Sequence, residues 1–301
     1  MMHSALIFRA QVVQAIRQFF VERGFLEVET PLLIPANAPE DYIEPIAALP
    51  SWQLQTSPEI CMKRLLCRGH QRIFQISHCW RADERGARHL SEFTMLEWYR
   101  ADADYHDLME DCAGLLRQVA QQCTTDGRFI RFDQKIDPMA KWEHISVQEA
   151  FLRFAQADAL SSAKNGLFDE LLVSLIEPGL EQFGVPVILT DYPAELAALA
   201  RLKADDPRYA ERFELYLAGL ELANGFSELN NPQEQRARFV ETNRRRAAAG
   251  RSTLPLPERF LNELSVMPPS AGIALGVDRL VMLVAGLDSI DDVVAFRPEE
   301  L

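Results

Sequence analysis

The chain has 301 residues, 48% of them hydrophobic and 25% charged, with a formal net charge of −13. That length and composition belong to a soluble globular protein with a substantial core, and the acidic balance argues against holding nucleic acid mainly through its phosphates. No apolar run reaches the ~18 residues of a membrane span. Charges interrupt the N-terminal stretch MMHSALIFRAQVVQAIRQFFVERGF, so it does not read as a signal peptide. The five cysteines form no C-x-x-C pair and read as free thiols, which makes the cytoplasm the expected compartment.

Residues 5–23 carry Ile7, Phe8, Val12, Ala15, Ile16, Phe19 and Phe20 at helical spacing, and Gly24 supplies a stop. FLEVETPLLI then alternates like one strand. Ser57-Pro58-Glu59 opens a short helix that ends at Gly69. Two alternating runs within IFQISHCWRADERGARHLSEFTMLEWYR predict a hairpin with Arg81, Arg85 and Arg88 at its tip. Helices are expected over 105–123, 146–156 and 167–183. VPVILTDYP reads as a buried strand. RYAERFELYLAGLELANGFSELNNP reads as strand, turn, strand, with Gly219, Asn224 and Gly225 as punctuation. A polar, arginine-rich helix follows over 232–249, and GIALGVDRLVMLVAG passes from strand to helix through Gly276. The expected fold is α+β, an antiparallel sheet flanked by helices. It forms one domain over residues 1–301 with a mainly helical insertion around 101–185.

Three constellations stand out. On the return strand of the hairpin Phe93, Met95, Glu97 and Tyr99 share a face. A guanidinium at the strand end suits bidentate phosphate binding, and Glu97 beside Tyr99 suits an ammonium group. Glu214, Glu221 and Glu228 recur every seven residues in glycine-punctuated β sequence. Carboxylates gathered there need a counter-charge, such as Mg²⁺ with a triphosphate or a cationic substrate. In GIALGVDRL, Gly272 and Gly276 allow close backbone approach, and Arg279 lies in the first turn of a helix whose N-terminal end favours anions. Taken singly, each is also compatible with solvated surface charge.

Together, in this order, the segments resemble the catalytic domain of class II aminoacyl-tRNA synthetases, closest to the lysyl enzymes. FFVERGFLEVETPLL is similar to the family's first motif, FQISHCWRAD with RHLSEFTMLEWY to its second, and GIALGVDRL to its third. SPEICMKRLL and GLELANGFSEL resemble the lysyl subgroup, and the likeness runs from about residue 6 to residue 297. It implies that Arg81 holds the α-phosphate and stabilises charge during carboxylate attack, and that Arg279 binds the γ-phosphate. Adenine would lie between Arg279 and Phe93. Ala82, Asp83, Leu90, Leu222 and Gly276 would also line ATP, and Glu214 and Glu221 would hold Mg²⁺. The resemblance further implies that Glu59 takes the amino group near the reacting carboxylate. Glu97, Tyr99 and Glu228 would take the distal ammonium of a lysine-like substrate, beside Ser57, Pro58, Asn224 and Ala274. It also implies a homodimer through residues 8–34.

Lysyl-tRNA synthetases carry an anticodon-reading OB-fold ahead of the first motif, whereas here that motif begins almost at Met1. The expectation is therefore a stand-alone paralogue that attaches (R)-β-lysine, or lysine, to a lysine of elongation factor P, with tRNA not the acceptor. Ala274, where lysyl-tRNA synthetases usually have glycine, points the same way. The sequence departs from the family at Arg81-Ala82-Asp83 (usually Arg-Asn-Glu) and at His89-Leu90-Ser91-Glu92 (usually His-Asn-Pro-Glu). Two other readings remain open: a lysyl-adenylate-forming enzyme with a tRNA or small-amine acceptor, and a weakly catalytic lysine- or ATP-binding regulator.

Overall fold

A computed structural model describes residues 2–301. The opening helix α1 (Met2–Glu22) buries Val12, Ala15, Ile16, Phe19 and Phe20 and stops at Gly24, whose φ of +74° suits a residue without a Cβ. The expected single strand over FLEVETPLLI is instead two short ones, β1 (Leu26–Glu27) and β2 (Leu33–Ile34), in different sheets. Pro31 lies between them and has no N–H to offer a ladder. β2 pairs with β4 (Trp52–Leu54), which pairs with β3 (Ala47–Leu49).

Helix α2 (Glu59–Leu66) leads to the predicted hairpin, β5 (Arg72–Trp80) and β6 (Glu92–Ala101). Segment 101–185 combines helices with three short strands. Its first helix, α3 (Tyr105–Cys123), packs on α1 and places Leu108, Leu115, Leu116 and Val119 in the main core. A small hairpin, β7 (Phe129–Arg131) and β8 (Gln134–Ile136), precedes β9 (Glu143–Ser146), which extends the main sheet. Short helices α4 (Val147–Ala150), α5 (Ala159–Lys164), α6 (Phe168–Leu171) and α7 (Glu177–Glu181) follow, with π-helical turns at Phe151–Ala155 and Leu172–Ile176.

The rest of the sheet comes from β10 (Val187–Pro193), β11 (Tyr209–Leu217), β12 (Leu220–Ser227) and β13 (Ser270–Gly276). Helices α8 (Pro232–Ala248) and α9 (Glu258–Glu263) precede β13, and α10 (Val277–Ala285) follows it. The eight strands run β1-β5-β6-β13-β12-β11-β10-β9, antiparallel except for the two outermost pairs. The architecture is the expected α+β one.

One face of the sheet is sealed by α1, α3 and α10 over Phe74, Leu96, Trp98, Ile273 and Leu275. On the opposite side, a second apolar cluster joins α2, α8 and α9 to Tyr99. Beside it lies a cleft whose floor is set by register. Gln75, Glu97, Ala274, Asn224 and Glu214 sit opposite one another across five strands. Asn224 and Gly225, expected as punctuation, lie inside β12; the turn is Ala218-Gly219, both at positive φ. Gly225 is small for a packing reason, since a Cβ there would fall 2.8 Å from the Phe213 ring.

Candidate active site

The closed end of the cleft is a small cavity of about 80 Å³ among Ser57, Glu59, Glu97, Tyr99, Gly272 and Ala274. Ser57 precedes α2, and its hydroxyl accepts from the Glu59 amide at 3.0 Å while donating to Glu97 Oε1 at 2.5 Å. The Tyr99 hydroxyl donates to the other oxygen, Glu97 Oε2, at 2.7 Å. Burial pushes the Glu97 carboxyl up to about 8, and the Glu59 charge adds to the effect. Pro58 caps α2 rather than lining the cavity.

Glu228 and Glu59 are not free to take a ligand alone. Lys63, one turn into α2, places its ammonium 2.5 Å from each of them and is itself 1% exposed. Burial opposes its charge, but Glu228 and Glu59 outweigh that and carry its pKa up to about 12. The tight packing also explains Gly272. A Cβ at this position would lie 2.2 Å from the Tyr99 ring and 2.4 Å from Glu228 Oε1.

The open end is a larger cavity of about 220 Å³, bordered by Arg81, Glu84, His89, Phe93, Glu221 and Arg279. Of the three arginines at the hairpin tip, two are bonded elsewhere. Arg85 pairs with Glu299 and Asp291, and Arg88 with Glu177. Arg81 is held only loosely, 3.4 Å from the Thr56 carbonyl and 3.7 Å from Glu84, with its guanidinium 5.1 Å from the Phe93 ring centre.

Arg279 donates to the Glu221 carbonyl at 2.7 Å and to His89 Nε2 at 2.7 Å. Partial burial and the adjoining Arg279 charge lower the His89 pKa, which favours the neutral ring that accepts such a bond. The preceding residue anchors the helix. Asp278 accepts from the Thr94 amide at 2.7 Å and pairs with Arg9 of α1.

Leu222, Leu90 and Gly276 border this cavity, although Leu90 also joins the apolar core. Asp83 and Ala82 do not. Asp83 is exposed at a φ of +63°, and the Ala82 amide bonds the Glu44 carbonyl, so Glu84 supplies the acidic side chain there. The left-handed turn at Asp83 rotates its side chain to solvent.

The expected metal pair is unequal. Both oxygens of Glu214 are already bonded, by Arg212 at 2.6 Å, Tyr192 at 2.5 Å and Tyr216 at 2.6 Å. Glu221 is half-buried, faces the cavity, and has only a 3.4 Å contact with Arg279 on its carboxylate. Glu221 therefore suits a hard cation shared with phosphate oxygens, whereas Glu214 would first have to exchange a guanidinium. Asn224 accepts from Arg212 Nε at 3.1 Å, on the cleft floor.

Residues that the sequence reading left out of the site are Lys63, Glu40, His89 and Arg212. Lys63 had one local signal, its four-residue spacing from Glu59 on a helix, but that spacing ordinarily marks a solvated pair.

An eight-stranded, mostly antiparallel sheet with this arginine-flanked cleft defines a class of nucleotide-activating enzymes, and comparison agrees. The family model described as "tRNA synthetases class II (D, K and N)" matches residues 1–300, and the chain belongs to that family. Among curated proteins it is similar to the elongation factor P--(R)-beta-lysine ligase of Proteus mirabilis (strain HI4320), 39% identical over 97% of this chain and 94% of the relative. Proteins of the same name from Erwinia tasmaniensis and Salmonella typhi are 40% and 38% identical, again over 97% of this chain and 94% of theirs.

Proposed function

We propose that this protein is an ATP-dependent ligase that adenylates (R)-β-lysine, or lysine, and transfers it to a lysine side chain of elongation factor P. The observation that carries this reading is the charge balance of the closed pocket. Glu59 and Glu97 line the pocket and Glu228 is buried behind it, with one internal ammonium, that of Lys63, shared by Glu59 and Glu228, and burial holds the Glu97 and Glu228 carboxyls up at about 8. An entering ammonium would let these carboxyls ionise, so the cluster suits a cationic substrate, and Glu97 with Tyr99 is the better-placed receptor for the distal ammonium of a diamine. The acceptor and the β-isomer come from the names of the relatives. Ala274, opposite Glu97, would tune the pocket, although one methyl discriminates by only about 1–3 kcal/mol.

In this reading Arg81 binds the α-phosphate and stabilises the charge that develops as the carboxylate attacks. Arg279 leaves His89 for the γ-phosphate, and the adenine packs between Arg279 and Phe93. Adenylate formation then depends on positioning and electrostatics more than on proton transfer. Mg²⁺ bound by Glu221, with Glu214 joining by exchange, would neutralise the triphosphate.

The whole chain would act as one catalytic unit in the cytoplasm. It would pair as a homodimer through residues 8–34, where Val21, Leu26 and Leu32 are exposed apolar side chains. A monomeric mass at micromolar concentration would contradict the pairing.

The deciding experiment is the intact mass of elongation factor P after incubation with the protein, ATP, Mg²⁺ and (R)-β-lysine, with α-lysine in parallel. The expected result is a stoichiometric gain of one lysyl-sized group, faster with the β-isomer. No gain alongside robust pyrophosphate exchange would point to a tRNA or small-amine acceptor, and no exchange with any diamine acid would leave the regulator reading.

A further inference from the structure

Glu40 has no part in the adenylation chemistry described above, yet it borders both cavities where they meet, alongside Arg81 and Asn224. It also borders a third, open-sided cavity of about 250 Å³ that runs past Phe168, Tyr192, Leu196 and Arg212. Among the described residues its carboxylate has no hydrogen-bond or ion-pair partner, although its loop is firmly held. The buried Arg246 donates to the Glu40 and Ile43 carbonyls at 2.8 and 3.0 Å and pairs with Glu44 at 2.5 Å. Arg245 pairs with Asp41 at 2.8 Å, and Asn37 Oδ1 accepts from the Thr56 amide at 2.8 Å. A rigid loop thus presents an unpaired carboxylate at the junction of nucleotide, amino acid and solvent.

The second half-reaction has a requirement the first lacks. An acceptor lysine is an ammonium with a pKa of about 10.4, and only its neutral amine attacks an acyl carbon. We propose that Glu40 is the general base of the transfer step, a role that rests on the acceptor assignment above. Glu40 takes one proton from the acceptor ammonium, and the freed lone pair forms the C–N bond to the acyl carbon of the adenylate. The bond from that carbon to the phosphate oxygen then breaks, and AMP departs with the electron pair. The second proton on nitrogen passes to the departing phosphate as the tetrahedral adduct collapses. The third cavity takes in Asn224 and Glu214 on the substrate side but also Phe168, Leu172 and Leu196, which neither other cavity includes, and these give the acceptor a route to Glu40.

The electrostatic surroundings fit the role. Burial raises the Glu40 pKa to about 7, with Arg81 opposing, Glu59 adding, Arg212 opposing and Glu84 adding. Asp41 from its own loop, Asp169 from α6, Glu195 from the turn after β10, Glu214 from β11 and Arg245 from α8 border the same third cavity. A base near 7 is matched to neutral pH. Once a phosphate engages Arg81, the main opposing charge is offset and Glu40 becomes more basic.

The test compares Glu40→Gln with wild type in two assays, pyrophosphate exchange and single-turnover transfer to elongation factor P from preformed adenylate. The ratio of transfer to exchange is expected to fall about 10²–10⁴-fold. Hydroxylamine, an acceptor already neutral at pH 7, should capture the adenylate of both proteins at similar rates. The wild-type transfer rate should climb with pH through 7 and level off above it, because the adenylate phosphate on Arg81 raises Glu40 further, a limb the variant lacks. A ratio within threefold of wild type would overturn the proposal, as would equal losses with hydroxylamine and the protein acceptor. If the wild type leaves elongation factor P unmodified, the acceptor assignment fails. Nα-acetyl-lysine compared with hydroxylamine then decides the role of Glu40, and equal losses with the two amines would again refute it.

Discussion

At the closed end of the cleft, Lys63 pairs with Glu59 and Glu228 at 2.5 Å, Tyr99 donates to Glu97 at 2.7 Å, and all five are buried. At the open end, Arg81 makes only a 3.4 Å hydrogen bond and a 3.7 Å ion contact, and Arg279 leans on a neutral histidine and a backbone carbonyl. Burial makes the first arrangement stiff and costly to disturb. Loose or neutral partners make the second cheaper to rearrange, so its cations can turn to an incoming polyphosphate. One end of the site therefore belongs to the folded core, while the other is free to change partners during the reaction.

The sharpest way to break that contrast is Arg81→Ala. Its partners are weak, so the fold should survive with an unchanged circular dichroism spectrum and melting temperature. Amino-acid-dependent pyrophosphate exchange should fall by about 10²–10³ or more, the usual cost of removing one preorganised charge-stabilising donor. Near-normal exchange would mean that the phosphates bind elsewhere.

What the sequence made legible follows the same division. The hairpin, the strand-to-helix junction at Gly276 and the cleft-facing series Phe93, Met95, Glu97 and Tyr99 could be read because a strand repeats every two residues. Other features depend on partners far away in the chain. Glu214 is saturated in part by Tyr192, which comes from a different strand, and Gly272 is explained by Tyr99 and Glu228 together. Lys63 looked like an ordinary helix lysine until Glu228, 165 residues later, closed over it. Glu40 sits in a loop without periodicity. Its placement comes from Arg246, and nothing local announces that contact.

Lys63→Met probes the stiff end. Removing the ammonium leaves Glu59 and Glu228 buried without their shared counter-charge, and breaking a buried pair in this way typically costs about 3–5 kcal/mol. Denaturant unfolding should show that loss, and replacing Glu228 by a neutral residue in the same chain should recover part of it. A change below about 1 kcal/mol would mean that water or a rearranged Glu59 already screens the cluster, and that the two ends differ little in stiffness.

The smallest effect is the pH dependence of Glu97, and its sign is specific. Folding raises this carboxyl from 4.5 to about 8, so between those values the folded protein holds a proton that the unfolded chain has released. Stability from this group is therefore present at low pH and declines as pH rises from about 4.5 towards 8. A diamine substrate reverses the preference, because its ammonium needs the ionised carboxylate. The thermal shift given by (R)-β-lysine or lysine should accordingly grow from pH 6 to pH 8, and Glu97→Gln should flatten that growth while raising the stability of the free protein at pH 8. ATP, which meets only the exposed end, should give a shift with no such trend from Glu97. An equal pH trend for both ligands would locate the titrating group outside the closed pocket.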